Sequence, residues 1–158
     1  MSKIQSLLDE YGESHQNSTN KLIHWICVPA IFFSIVGLIW SIPNTLLVEL
    51  LGAAWYANWA TVAILLVFIY YLTLSVSLSI GMVAFGWLCI YLANTLGATG
   101  IAPLWLISII IFVVAWVFQF IGHNIEGKKP SFFKDVQFLL IGPAWLMHFI
   151  YKKIGLPY

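Results

Sequence analysis

Histidines are the side chains of this sequence best suited to chemistry, and their positions follow a pattern. His15 and His24 lie where a polar N-terminal segment gives way to an apolar one, and His123 lies at a similar boundary about a hundred residues later. Residues 50–125 contain no Asp, Glu, Lys or Arg. Neutral imidazole is a common ligand of iron, zinc and copper, and Glu126 follows His123 by three residues on the same helical face. The pattern therefore predicts a metal site at a membrane surface.

A polar break between the first two histidines allows them to converge. On one continuous helix His15 and His24, nine residues apart, would face opposite sides. The run 16–20 is rich in residues that favour helix N-caps, so it predicts a turn between two helices. His15 continues the apolar stripe of the first helix one turn beyond Tyr11. Asn20 lies four residues before His24, and we expect its amide to orient that imidazole.

The composition is typical of a membrane protein. Hydrophobic residues make up 61% of the chain and charged residues only 8%, whereas soluble domains carry about 25% charged residues. A soluble fold of this length has too much surface to hide the uncharged run 50–125. The sequence therefore predicts an all-α, polytopic integral membrane helical bundle whose partner is the lipid bilayer. The near-zero net charge, without a basic stripe, excludes nucleic acid as a partner. A homo-oligomer is left open.

We predict a single membrane domain over residues 1–158 with about four spans. The predicted elements are an amphipathic helix and polar turn at 1–20, spans at 22–40, 60–79, 81–96 and 103–121, a polar motif at 122–130, and a broken membrane-associated helix at 131–151. Gly142-Pro143 stands near the middle of the last segment and predicts the break. That segment is left open as re-entrant, interfacial or a fifth span.

The predicted spans also set the topology. An even number of crossings returns the chain to its starting side, so four spans bring the three boundary histidines to one face of the membrane. Five of the seven lysines then lie on that side: Lys3, Lys21, Lys128, Lys129 and Lys134. The positive-inside rule makes this face cytoplasmic, in a bacterial inner membrane or in the endoplasmic reticulum. His148 joins the other histidines only if the C-terminal segment turns back.

Two spaced motifs in this sequence resemble those of the Mpo1-like family, and the likeness covers nearly the whole chain. The first motif reads Tyr11-x3-His15-x4-Asn20-x3-His24-x4-Pro29, and the second reads Gly122-His123-x2-Glu126-x3-Pro130, followed by Gly142-Pro143. The resemblance implies an iron(II)-dependent dioxygenase, with Fe(2+) as cofactor, that shortens a 2-hydroxy fatty acid by one carbon with O2. Such a reaction belongs to fatty acid α-oxidation in the breakdown of the phytosphingosine backbone.

The resemblance also implies roles for particular residues. It makes three histidines the iron ligands and so the catalytic residues: His15, His24 and His123. Asn20 and Glu126 match motif positions and are expected to support these ligands, with Glu126 as a direct ligand left open. His148 is expected to be a supporting residue or an extra ligand.

A second hypothesis stands beside the enzyme. Taken singly, a histidine near the end of a span is more often an interfacial residue than a ligand. The chain would then be a non-catalytic membrane protein that binds lipid or a partner. A small transporter or channel is disfavoured, because the middles of the predicted spans hold no ionisable residue that would mark a pathway. Metal content distinguishes the enzyme from the non-catalytic protein.

Overall fold

The computed structural model describes residues 3–127 and 138–158, and every regular element in these ranges is a helix. The helices are α1 (Lys3–Gly12), α2 (Ser18–Trp40), α3 (Thr45–Leu51), α4 (Trp59–Leu72), α5 (Val76–Ala98), α6 (Leu104–Glu126) and α7 (Ile141–Ile154). The predicted all-α class is therefore confirmed. Lys128, Lys129, Pro130, Lys134 and the first part of the predicted 131–151 segment lie outside the described residues.

Three of these helices are long and apolar enough to cross a membrane. α2, α5 and α6 each have 23 residues. At ~1.5 Å per residue each is about 34 Å long, more than the ~30 Å hydrocarbon core of a bilayer. α4 is also apolar but has only 14 residues. The chain is thus an α-helical membrane protein, and its arrangement as four spans stays a prediction.

The turn between the second and third predicted spans lies earlier in the chain than predicted. The prediction divided these spans at residues 79–81, whereas α4 ends at Leu72 and α5 begins at Val76. Ser75 is the N-cap of α5, and its side chain accepts a hydrogen bond from the Leu78 N–H at 3.2 Å. Hydropathy did not locate this turn because apolar residues without charge flank it on both sides.

α2 and α6 form the antiparallel pair on which the histidine site is built. Near one end, Gly37 lies so close to Ser108 that a methyl group on the glycine would overlap the serine Oγ. Near the other end, Gly122 packs in the same way against Asn20. A buried cluster between the two helices contains Cys27, Ile31, Ala115 and Trp116. The pairing brings the start of α2 beside the end of α6.

α1 and α7 close this end of the bundle. α1 is amphipathic as predicted, and its buried residues Ile4, Leu8 and Tyr11 pack in one cluster with apolar residues of α7 and α5. α7 has 14 residues and is about 21 Å long, too short to cross a ~30 Å core. Tyr151 Oη donates to the Ser77 carbonyl at 2.8 Å, which holds the end of α7 beside the start of α5. This part of the chain therefore does not support a fifth span.

Gly142-Pro143 lies in the first turn of α7, directly after a turn at residues 138–140. The missing proline N–H costs no helical hydrogen bond at that position. A methyl group on Gly142 would lie 3.0 Å from the Tyr11 Oη, so the glycine allows α1 to approach α7 closely. The pair therefore begins a helix instead of standing in the middle of one.

Candidate metal centre

Three of the four histidines meet at the end of the bundle that α1 and α7 close. His15 follows α1, His24 lies near the start of α2, and His123 lies in the last turn of α6. Their side chains are buried, with 3%, 1% and 5% of their surface exposed. One potential ligand atom from each lies within 4.8 Å of the others. We call these three residues the histidine trio.

The turn between α1 and α2 sets the position of His15. α1 ends at Gly12, and the His15 N–H donates to the Gly12 carbonyl at 3.0 Å. Asn17 is the N-cap of α2, and its side chain accepts from two backbone N–H groups of the first turn. The Tyr11 ring stacks on the His15 imidazole, with ring centroids 4.3 Å apart. The predicted break between two helices is thus confirmed, and it brings the ring centroids of His15 and His24 to 4.2 Å.

Backbone carbonyls fix the tautomer of two imidazoles. His15 Nδ1 lies 2.6 Å from the Tyr11 carbonyl oxygen, and His24 Nδ1 lies 3.0 Å from the Asn20 carbonyl oxygen. Since a carbonyl oxygen only accepts, each Nδ1 carries the hydrogen and donates it. The lone pair of each neutral ring is then on Nε2, the state in which histidine ligates a metal. Asn20 therefore orients His24 with its main chain, and the prediction that its side-chain amide does so is wrong.

Glu126 holds the turn before α2. One carboxylate oxygen accepts from the Gln16 N–H and the other from the Asn17 N–H, both at 2.9 Å. The second oxygen also accepts from the Asn20 side-chain amide at 3.1 Å, and that amide donates to the Ser14 carbonyl at 3.2 Å. The carboxylate thus joins the end of α6 to the segment between α1 and α2. It lies outside the cluster of ligand atoms, which contains only histidines within the described ranges.

His148 lies beside the histidine trio but outside it. It is buried in α7 and, with His15 and Lys21, lines an open cavity of about 250 Å³. Burial lowers the pKa of this imidazole, and so does the nearby Lys152 ammonium, whereas the Asp9 carboxylate has the opposite effect. The ring is therefore neutral at pH 7. α7 lies at the same end of the bundle as the histidine trio. From the sequence, this was the condition for His148 to approach the other histidines.

Two side chains near the histidine trio were not predicted from the sequence. The Trp145 ring covers His15 from α7, with ring centroids 5.4 Å apart. Gln119 lies one turn before His123 on the same face of α6. The sequence could have indicated Gln119 as a functional residue, because it is an amide within an otherwise apolar stretch. Nothing distinguishes Trp145 among the eight tryptophans.

The geometry of the histidine trio fits a single metal ion. Imidazole nitrogens bind such ions at about 2.1 Å, so three evenly spaced nitrogens on one ion lie at most ~3.6 Å apart. The ligand atoms here lie within 4.8 Å of one another. Inward shifts of at most about 0.7 Å per ring would bring them into range. Three neutral imidazoles suit iron, zinc or copper.

The known proteins that this chain resembles share one description. A family model described as 2-hydroxy-palmitic acid dioxygenase Mpo1-like matches residues 1–154. A protein from Saccharomyces cerevisiae named 2-hydroxy-palmitic acid dioxygenase MPO1 is 28% identical over 160 residues, which cover 96% of this chain and 82% of that protein. No solved structure matches the chain. Because the family model extends over nearly its whole length, the chain belongs to the Mpo1-like family.

Proposed function

We propose that this protein is an iron(II)-dependent dioxygenase that converts a 2-hydroxy fatty acid and O2 to a fatty acid one carbon shorter. The histidine trio carries the proposal, because His15, His24 and His123 are buried with ligand atoms within 4.8 Å of one another. Membership of the Mpo1-like family and the name of the yeast relative support the class of substrate.

The charge of the histidine trio suits an anionic substrate. Neutral imidazoles add no negative charge to a divalent cation, and no carboxylate belongs to the cluster in the part of the chain that the structure describes. A 2-hydroxy carboxylate would supply that charge together with carboxylate and hydroxyl oxygen donors. Iron(II) held by three protein ligands keeps about three positions open, and when bound it supplies the activation of O2.

The proposed reaction needs no reductant besides the substrate. R–CHOH–COOH and O2 give R–COOH, CO2 and H2O, which balances every atom. The bond between the carboxyl carbon and C2 breaks, and C2 is oxidised from an alcohol to a carboxylic acid. The electrons that the substrate loses equal those that O2 accepts, so no further cofactor is required.

Aromatic rings shield one side of the His15 imidazole from water, and an open cavity beside it gives access to the substrate. Tyr11 and Trp145 pack against the His15 ring, which keeps bulk water from that side of the imidazole. The open cavity beside His15 gives a polar head group access, and its lining carries the Lys21 ammonium together with the Asp9 and Glu13 carboxylates. A head group that enters through this cavity reaches the histidine trio, where binding supplies proximity.

Metal analysis of the purified protein tests the site first. Wild type, His24→Ala and His148→Ala are purified anaerobically in detergent and reconstituted with iron(II). We expect about one iron per chain in wild type and His148→Ala, and loss of iron in His24→Ala, because only His24 belongs to the histidine trio. His148→Ala is the matched control, since it also replaces a buried histidine at the same end of the bundle. Wild-type protein without metal would favour the non-catalytic alternative.

Turnover tests the reaction itself. The iron-loaded proteins are incubated with 2-hydroxypalmitic acid in the presence and absence of O2, and the fatty acid product is identified by mass spectrometry. We expect wild type to form an acid one carbon shorter, and to form it only with O2. Full activity of folded His24→Ala would contradict the proposed role of the histidine trio.

A further inference from the structure

A small cavity of about 20 Å³ is lined by residues that neighbour the histidine trio. Val28 and Gln119 line this cavity. Each lies one helical turn from a histidine, Val28 after His24 and Gln119 before His123. Tyr11, whose ring stacks on the third histidine, also lines it. The lining therefore includes a neighbour of each member of the trio, whereas the three histidines themselves do not line the cavity.

Gln119 brings a side-chain amide to this cavity. The residue is 6% exposed, and over residues 3–127 and 138–158 its side chain makes no hydrogen bond. An amide that faces a cavity with apolar walls costs free energy until a hydrogen-bond partner enters. Polar side chains inside a membrane helix are expensive unless a partner satisfies them. A ligand that hydrogen-bonds the amide would remove the cost.

The size and charge of the cavity select a small neutral group. A volume of about 20 Å³ holds about one water-sized group. Apart from Gln119, the lining residues are aromatic, aliphatic or glycine and carry no charge. A carboxylate would be poorly stabilised in such surroundings. A hydroxyl group has the right size, and it both donates and accepts hydrogen bonds.

We propose that Gln119 binds the 2-hydroxyl group of the substrate and selects a 2-hydroxy acid over an unsubstituted fatty acid. This inference rests on the proposed function and adds a specificity-determining residue to it. The substrate hydroxyl donates to Gln119 Oε1, while the substrate carboxylate stays outside this cavity. An unsubstituted acid leaves the amide without a partner, and sites built to bind a substrate hydroxyl discriminate strongly against analogues that lack it.

Binding of soluble short-chain acids tests the role of Gln119 without turnover. Iron(II)-loaded protein is titrated anaerobically with 2-hydroxyoctanoic acid and with octanoic acid, and the two dissociation constants are compared. Gln119→Met keeps the length of the side chain and removes the amide. Ser108→Ala is the matched control, because it removes a buried polar group from the other end of α6. We expect Gln119→Met alone to lose about tenfold or more of the preference for the hydroxy acid, with its iron content unchanged.

A second variant alters the cavity from α7. Gly142→Ala adds a methyl group 3.0 Å from the Tyr11 Oη and 3.3 Å from Val28 Cγ1. We expect this group to narrow the cavity and to weaken binding of the hydroxy acid more than binding of octanoic acid. If Gln119→Met does not fold, Gly142→Ala still tests whether this cavity binds the 2-hydroxyl group.

The outcomes separate this inference from the proposed function. An unchanged preference in Gln119→Met, or in Gly142→Ala where only that variant folds, would overturn the role of the cavity and leave the dioxygenase proposal standing. Iron-loaded wild type that binds neither acid would overturn the proposed function and this inference together.

Discussion

Glu126 accepts hydrogen bonds from the Gln16 N–H, the Asn17 N–H and the Asn20 amide, and so ties α6 to the turn before α2. Glu126→Gln would turn an NH2 group towards these donors, which removes hydrogen bonds and adds repulsion. We expect iron affinity to fall by about 10- to 100-fold, as it does when groups that orient metal ligands are changed. Titration with a competing chelator measures the affinity, with the exposed Glu10→Gln as control. Equal affinities in wild type and Glu126→Gln would contradict this role.

Gly122 stands where α6 approaches α2 most closely at the site. A methyl group on it would overlap the Asn20 Oδ1, so Gly122→Ala forces the two helices apart. We expect this variant to lower the free energy of unfolding by about 1–3 kcal/mol and to weaken iron binding. Gly97→Ala is the control, because its nearest neighbour atoms, in the Trp40 ring, lie 3.5 Å away. Thermal unfolding in detergent compares the two, and equal losses would argue against a specific constraint at Gly122.

Some residues of the site were predictable and others were not. The histidine trio was predictable because ionisable residues are rare in this chain and its members stand at polar boundaries. The prediction gave the orientation of His24 to the side-chain amide of Asn20, but the backbone carbonyl of Asn20 provides it. A sequence shows which side chains are present, whereas the direction of a backbone carbonyl depends on the helix. Gln119 was missed because an uncharged amide barely interrupts an apolar pattern.

At the scale of single elements, two helix caps form a matched pair. Asn17 caps α2 beside the histidine trio and Asn58 caps α4, each through its side-chain oxygen. Replacement of either by Ala should cost about 1 kcal/mol of stability. Only the Asn17 segment also carries a hydrogen bond to Glu126. Asn58 is also buried and donates to the Trp55 carbonyl at 2.8 Å. We therefore expect the larger decrease in melting temperature in Asn58→Ala, but weaker iron binding in Asn17→Ala alone. A comparable loss of iron affinity in Asn58→Ala would contradict a local effect of the cap.

The helices were predictable where a helical hydrophobic pattern is followed by polar residues that end it. α1 combines helical periodicity with a following run of capping residues, and the structure has both the helix and the turn. The turn at 73–75 was placed too late because it lies between two apolar stretches. The position of α7 depends on its packing against α1 and α5, and such long-range packing could not be predicted from the sequence.

For the whole molecule, the remaining prediction concerns sidedness. The described lysines lie at the same end as the histidine trio: Lys3, Lys21, Lys152 and Lys153. The positive-inside rule then makes this end cytoplasmic. Ser18→Cys places an exposed thiol at the start of α2, and Thr45→Cys places one at the start of α3, just beyond the other end of α2. The native Cys27 and Cys89 are buried. In bacterial cells that carry the protein in the inner membrane, we expect an impermeant maleimide to label Thr45→Cys before permeabilisation and Ser18→Cys only after it. The reverse result would overturn the cytoplasmic placement.

The distance along the chain between the proposed ligands has a consequence for biosynthesis. His15 and His24 leave the ribosome about a hundred residues before His123, which arrives only with the end of α6. Nascent chains that stop before α6 carry an incomplete donor set, so metal capture at the proposed site would await insertion of α6. Metal loading would then report that α2 and α6 have paired.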